Sequence, residues 1–216
     1  YLTLGGLVFM RVDEDLDVGF ADFFRKLDAS HYIVPGFSIT VKAPPTIVIE
    51  NAFDNMHFRV VHGIFNEPEF VIQPSQSGEF SVTSEFVIPP SVWQNPGQAQ
   101  ERLKAAYHAR AFSPGIVISL LGGPNPYYVI TTATQIQGGE SLIRLSLAIP
   151  PDKDGNPPSQ QGCKYLLEQS KKGLESDQKI WGNMDFQAVP SFLEKDASVK
   201  GFQEFCLQFH PETTLE

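Results

Sequence analysis

Residues 116–149, IVISLLGGPNPYYVITTATQIQGGESLIRLSLAI, read as three strands in succession. Ile116–Leu121, Tyr127–Thr134 and Leu142–Ile149 are apolar runs rich in β-branched residues. Gly122-Gly123-Pro124-Asn125-Pro126 joins the first pair and Gln137-Gly138-Gly139-Glu140 the second. Turns this short connect antiparallel neighbours, because a parallel crossover needs a dozen residues or more. The same signal recurs upstream. In Gly36–Lys42, Phe37, Ile39 and Val41 alternate onto one face. Glu69–Gln73 and Glu79–Ile88 flank the turn Pro74–Gly78, and Leu7–Arg11 reads as a further strand. Pro150–Pro158 (PPDKDGNPP) reads as an exposed loop.

Helical patterns sit around this meander. Val48–Phe65 is the first strong one, Gly97–Ala111 suggests a short helix after Pro96, and Lys164–Trp181 and Ala197–Phe209 close the chain. In the last, Phe202, Phe205, Cys206 and Phe209 form a core-facing stripe, with Asp196 placed to cap the N-terminus. Strands and helices in this order predict an α+β domain: a curved antiparallel sheet wrapped around long helices, with a cavity between them.

Composition narrows the partners. The chain has 216 residues, 42% hydrophobic and 19% charged, enough for a sizeable core and incompatible with global disorder. Sixteen basic against 25 acidic residues give a net charge of −9 with no basic run, which argues against nucleic acid. No apolar stretch approaches the roughly 20 residues of a membrane span. Cys163 and Cys206 lie in no CxxC or CxH context and read as free thiols of a reducing compartment, so a cytoplasmic location is expected. The chain opens on Tyr1 within a strand-like run and reads as a trimmed or partial chain with no signal peptide in view.

The chemistry concentrates in Glu50–Gly63, ENAFDNMHFRVVHG, which holds two of the five histidines. His57 and His62 are five residues apart, so on a regular helix their side chains diverge by about 140°. They converge only where the helix bulges or ends between them, and Gly63 supplies a stop. Apolar neighbours such as Val48, Ile49, Phe53 and Val61 imply burial, and a buried ionisable group needs a partner or a metal. A zinc protease would require HExxH, whereas Phe58 follows His57 here. Asp177 lies inside the apolar stripe of the Lys164 helix, between Leu174 and Trp181. Two neutral imidazoles and one carboxylate are a facial set that suits iron(II) and leaves positions open for dioxygen and substrate.

The segment ENAFDNMHFRVVHG, followed by DQKIW at Asp177–Trp181, resembles the C-terminal catalytic domain of the Rieske non-haem iron oxygenase alpha subunit. The steroid type, which includes 3-ketosteroid hydroxylases and cholesterol desaturases, is the nearest branch. FQEFCLQF, after Pro190–Leu193, fits the same domain, and the likeness covers nearly the whole chain. NxxDxxHxxxxH joined to DxxIW is far more specific than either half alone. The resemblance implies a helix-grip, START-like fold, with His57, His62 and Asp177 as ligands of one mononuclear Fe(II) and O2 as co-substrate. It makes Asp54 the acid bridging an iron ligand to a cluster-bound histidine of a neighbouring subunit, and places Asn51 near the iron without strong ligation. It further implies an apolar steroid or aromatic substrate that is hydroxylated or desaturated, a reductase or ferredoxin donor, and a homotrimer. The CxH and CxxH motifs of the cluster domain are absent, so a [2Fe–2S] centre is expected only on a domain outside this sequence. Residues 1–11 read as that domain's last strand, and the chain alone should not turn over.

A different class fits the same architecture: a metal-free lipid or sterol carrier of START-like form. In a carrier, ordinary hydrogen bonds would satisfy His57, His62 and Asp177. A third reading is a regulatory subunit without a cluster domain. Elsewhere, Glu50 reads as a structural salt-bridge partner, His31 and His108 as surface residues, His210 as a helix-end cation, and Asp13–Asp17 as a solvated loop.

Overall fold

In the computed structural model, which describes residues 1–11, 16–88, 102–186, 188 and 191–209, the predicted meander forms the centre of one antiparallel sheet. Its strands are β3 (Tyr32–Val41), β4 (Val71–Gln73), β5 (Phe80–Ile88), β6 (Leu103–Ser113), β7 (Ile116–Leu121), β8 (Tyr127–Gln135) and β9 (Ser141–Ile149). They lie in the order β3-β9-β8-β7-β6-β5-β4. β7, β8 and β9 start and stop within a residue of the sequence reading. A separate hairpin joins β1 (Leu2–Leu4) to β2 (Leu7–Phe9).

The sheet divides two apolar cores. On the inner face, Tyr107, Ala109, Val117, Ala133 and Ile143 meet the helices α2 (Pro45–Glu50), α3 (Asn55–Val60), α4 (Gln160–Trp181) and α5 (Ala197–Leu207). Phe53 stacks on Phe202 there, with ring centroids 4.8 Å apart. On the outer face, Phe112, Ile118, Ile130 and Ala148 meet Phe9 and α1 (Phe20–Ser30). Gly36, beside a bulge in edge strand β3, allows α4 to approach. A Cβ there would lie 2.7 Å from Leu167 and 2.3 Å from the Leu145 carbonyl oxygen.

Several expectations change. Of Gly97–Ala111, residues 97–101 lie outside the described residues, and Leu103–Ala111 lie in β6 rather than continuing a helix: there the ladders of β5 and β7 outweigh the helix preference of four alanines. His108 consequently sits in mid-strand, half-buried, rather than on a loop or helix edge. Val48–Phe65 is a broken segment, not one helix: α2, a 3-10 turn at Asn51–Phe53, an extended residue at Asp54, then α3. Asp196 occupies the N-cap position of α5, but its carboxylate accepts the Leu193 N–H at 2.8 Å instead of capping α5. Among the described residues Glu50 has no cationic partner; it accepts from the neutral amide of Gln203 at 2.7 Å. Helix α1 has no counterpart in the sequence reading. His210, Pro190 and the 13–15 part of the acidic run lie outside the described residues.

Candidate metal centre

The break in the first helical segment brings the two histidines together. Asp54 adopts an extended conformation (φ −92°, ψ 105°), and its Oδ1 accepts the backbone N–H of His57 at 3.1 Å. That is an N-cap bond, and it starts α3 with His57 pointing inward. Asp54 is thus the cap of this helix rather than a residue on its face. Among the described residues its carboxylate bonds the His57 backbone and neither imidazole ring. The helix ends at Val60. Gly63 then takes a left-handed conformation (φ 67°), and the Ile64 N–H reaches back to the Phe58 carbonyl at 3.2 Å. The returning turn swings His62 toward His57. Ending the helix between the histidines is one of the two routes that their spacing permits.

The third member comes from α4. Ser159 caps this helix by accepting the Gly162 N–H at 3.1 Å. Its inner stripe, Leu174, Asp177 and Trp181, is buried. Asp177 Oδ1 lies 3.1 Å from His57 Nε2 and 3.3 Å from His62 Nε2, and the two Nε2 atoms are 3.0 Å apart. His57 and Asp177 are buried and His62 is half-buried. Burial pushes the His62 imidazole below its ordinary range; Asp177 opposes this and His57 adds to it. The ring therefore stays neutral, with a lone pair to offer.

Asp177 Oδ1 is close to two ring nitrogens but, among the described residues, accepts no hydrogen bond, while its residue is only 7% exposed. A buried carboxylate oxygen without an aligned donor is costly as an ion pair and ordinary as a metal ligand. The distances fit as well. Atoms about 2.1 Å from a shared ion and at right angles about it lie about 3.0 Å apart. The donor set of two imidazole nitrogens and one carboxylate oxygen therefore suits a divalent transition metal.

A cavity of about 440 Å³ opens beside the three residues. Its walls are mainly apolar, with Val48, Phe58, Phe86, Val117, Leu121 and Leu145 among them. The meander supplies several of these. Asn51 also lines the cavity, from the 3-10 turn. Sequence reasoning missed the polar part of the lining. Tyr107, Ser119 and Thr131 stand on adjacent strands β6, β7 and β8 and carry hydroxyls on the inner face. Tyr107 Oη donates to the Ala52 carbonyl at 2.9 Å and lies 3.4 Å from Ser119 Oγ. Burial pushes the Tyr107 phenol far up, so it remains protonated. Two other hydroxyls satisfy the irregular segment: Ser198 Oγ donates to Phe53 O at 2.7 Å and Ser141 Oγ to Ala43 O at 2.6 Å.

The fold is thus an antiparallel sheet gripping helices around an apolar cavity, with a two-histidine, one-carboxylate cluster in its wall that could hold a metal ion. Residues 19–210 match the family model described as the 3-ketosteroid 9alpha-hydroxylase C-terminal domain, and the chain belongs to that family, a family of Rieske oxygenase catalytic domains. No curated protein matches the sequence significantly. Solved structures share the fold. Dicamba monooxygenase bound to 3,6-dichlorosalicylic acid is 12% identical at a TM-score of 0.69, over 87% of this chain and 61% of that one. NdmA of Pseudomonas putida CBB5 with caffeine is 14% identical at a TM-score of 0.60, over 82% and 51%. Ara h 8.0201 is 10% identical at a TM-score of 0.53, over 71% and 99%. The chain thus spans about three-fifths of the dicamba monooxygenase chain and about half of the NdmA chain. Among the described residues no helix is long and apolar enough to cross a membrane.

Proposed function

We propose that the chain is the mononuclear-iron catalytic unit of a Rieske-type oxygenase that hydroxylates or desaturates an apolar ring compound. The unbonded, buried Oδ1 of Asp177 carries this reading, because a metal-free carrier would satisfy that oxygen with a hydrogen bond. His57, His62 and Asp177 would hold Fe(II), which when bound supplies the activation of O2. The rest falls to the chain itself. Asp54 positions His57 through its backbone N–H. Phe58, Leu121 and Leu145 exclude water from the cavity and hold the ring system beside the cluster. The Ser119 and Thr131 hydroxyls offer hydrogen bonds to an oxygen of the substrate, and the phenol of Tyr107 keeps Ser119 in place. Among the described residues, the only cationic residue in the lining is the exposed Lys172, which favours a neutral ring compound over a carboxylated one.

The same reading assigns residues 1–216 to this unit, with residues 1–11 as the tail of a cluster-bearing domain. Asp54 would link an iron ligand to the electron source and Asn51 would stand beside the metal. Electrons would come from a [2Fe–2S] centre fed by a ferredoxin or reductase, in a cytoplasmic homotrimer.

The test is anaerobic iron titration of the chain beside its His57→Ala and Asp177→Ala variants, followed by binding of a neutral steroid panel. Wild type should take up one Fe(II) per chain and each variant far less. Equal uptake by all three would remove the site assignment.

A further inference from the structure

The sheet's outer face carries a cluster that the metal centre does not use. Strand alternation sends Tyr107 and Ala109 of β6 inward and His108 and Arg110 outward. Between α1, the Pro74–Gly78 turn and strands β6 and β8 lies a second cavity of about 390 Å³. It shares no lining residue with the inner cavity. Phe23, Phe112 and Tyr128 form its apolar walls, and Arg110 and Lys26 are its cations.

Arg110 is held in a fixed plane. Its Nε donates to His108 Nε2 at 3.1 Å, and its guanidinium lies over the Phe23 ring, 5.0 Å from the centroid. Burial, reinforced by Arg110, lowers His108 to about 4, so at neutral pH the ring is an uncharged acceptor. These contacts use Nε and leave the paired Nη groups without a carboxylate at ion-pair distance among the described residues. Lys26 likewise has no ion-pair partner there. The two acids of the lining make their hydrogen bonds and ion pairs with other groups, although Arg110 stands near enough to Glu79 to lower its carboxyl. Asp22 pairs with Arg25 at 3.2 Å. Glu79 accepts the N–H groups of Ser77 at 2.8 Å and Gln76 at 3.3 Å, and the Ser75 hydroxyl at 3.4 Å. A stacked guanidinium with an open fork matches a carboxylate bidentately. The aromatic walls suit a flat apolar body, and the nearby Glu79 and Asp22 disfavour a doubly charged phosphate.

We propose that this outer cavity is a second ligand site that takes a small aromatic carboxylate, its head on the Arg110 fork and its ring against Phe112 and Tyr128. Isothermal titration of the chain with benzoate tests it, with benzamide and inorganic phosphate as comparison ligands. Benzoate should bind one to one, and benzamide and phosphate at least about tenfold more weakly. Arg110→Gln should weaken benzoate by about tenfold or more, Arg110→Lys by less, and His57→Ala not at all. Should Arg110→Gln fail to fold, Lys26→Ala on the exposed face of α1 decides, with an expected loss of about threefold. The proposal is overturned by no benzoate binding in the millimolar range, by unchanged affinity in Arg110→Gln or in a folded Lys26→Ala, by phosphate binding as tightly as benzoate, or by loss of binding in His57→Ala. The last would place the anion in the inner cavity.

Discussion

Replacing Asp177 by asparagine removes one charge and almost no volume, so it separates two readings of the same three side chains. In the metal reading, the metal-free protein carries a buried carboxylate oxygen with no donor aligned on it. Such an ion costs several kcal/mol relative to water, and a neutral amide of the same shape costs less. Metal-free Asp177→Asn should therefore melt at or above the wild-type temperature. With Fe(II) at about 100 times its Kd, binding adds about 2.7 kcal/mol to wild-type stability. For a chain of this length that raises Tm by about 5–11 °C. A hundredfold loss of affinity in the variant leaves about 0.4 kcal/mol, or about 1 °C. Differential scanning calorimetry under anaerobic conditions, with and without Fe(II), reads both quantities. In the rival reading Asp177 is a structural acceptor for the ring N–H groups of His57 and His62, and replacing its carboxylate by an amide, a weaker acceptor, loosens those hydrogen bonds. A metal-free variant melting many degrees below wild type, or an equal metal-induced gain in both proteins, would refute the metal reading.

Three further perturbations test the frame around the site. Phe53 is fully buried and stacked on Phe202, so Phe53→Ala should cost about 3–5 kcal/mol in urea unfolding and weaken metal uptake by loosening the turn before Asp54. Gly36→Ala puts a methyl group 2.3 Å from the Leu145 carbonyl oxygen of β9 and 2.7 Å from Leu167 of α4, and should cost about 1–3 kcal/mol by straining the β3–β9 ladder and pushing α4 away from β3. Glu79 supplies a pH dependence. Burial raises its carboxyl, but the N–H groups of Ser77, Gln76 and Glu79 itself, with Arg110, outweigh that and leave it below 4.5. A carboxyl lowered on folding stabilises the protein above its unfolded pKa, and the contribution fades as pH falls through the folded value. Glu79→Gln should thus be less stable than wild type at pH 7, and the gap should close progressively below pH 4.5 in acid titration followed by circular dichroism.

The parts of the fold legible in the sequence are those whose local chemistry agrees with their tertiary setting. Ile116–Leu121 and its two successors are β-branched runs between glycine-rich turns, and they fold as they read. β6 misleads because Ala105, Ala106, Ala109 and Ala111 are helix formers; only the flanking β5 and β7 ladders make them a strand. Helix α1 is missed by the sequence reading although its pattern is present: Phe20, Phe23, Phe24 and Leu27 follow helical spacing, and Phe24 and Leu27 are buried. In the site, His57, His62 and Asp177 stand out because ionisable groups on apolar helix faces are rare. Tyr107 and Ser119 do not, because a hydroxyl on a strand has no spacing signature, and the Tyr107 partner, Ala52, is 55 residues away.

The cluster sits where the local rules conflict. A continuous helix through Val48–Phe65 would satisfy its own backbone and hold His57 and His62 about 140° apart. The observed chain gives up that continuity, and the interruption strands the carbonyls of Ala52 and Phe53. Tyr107 and Ser198 reach them from β6 and α5, both fully or nearly buried, so the irregular backbone is satisfied without water. Each of these bonds contributes only about 1 kcal/mol net, yet an unpaired buried carbonyl would cost about 1–3 kcal/mol. The convergence of the imidazoles therefore depends on residues that touch neither of them. The hydroxyl that satisfies Ala52 also lines the inner cavity, which ties the shape of the helix break to the shape of the space in which a ligand would lie.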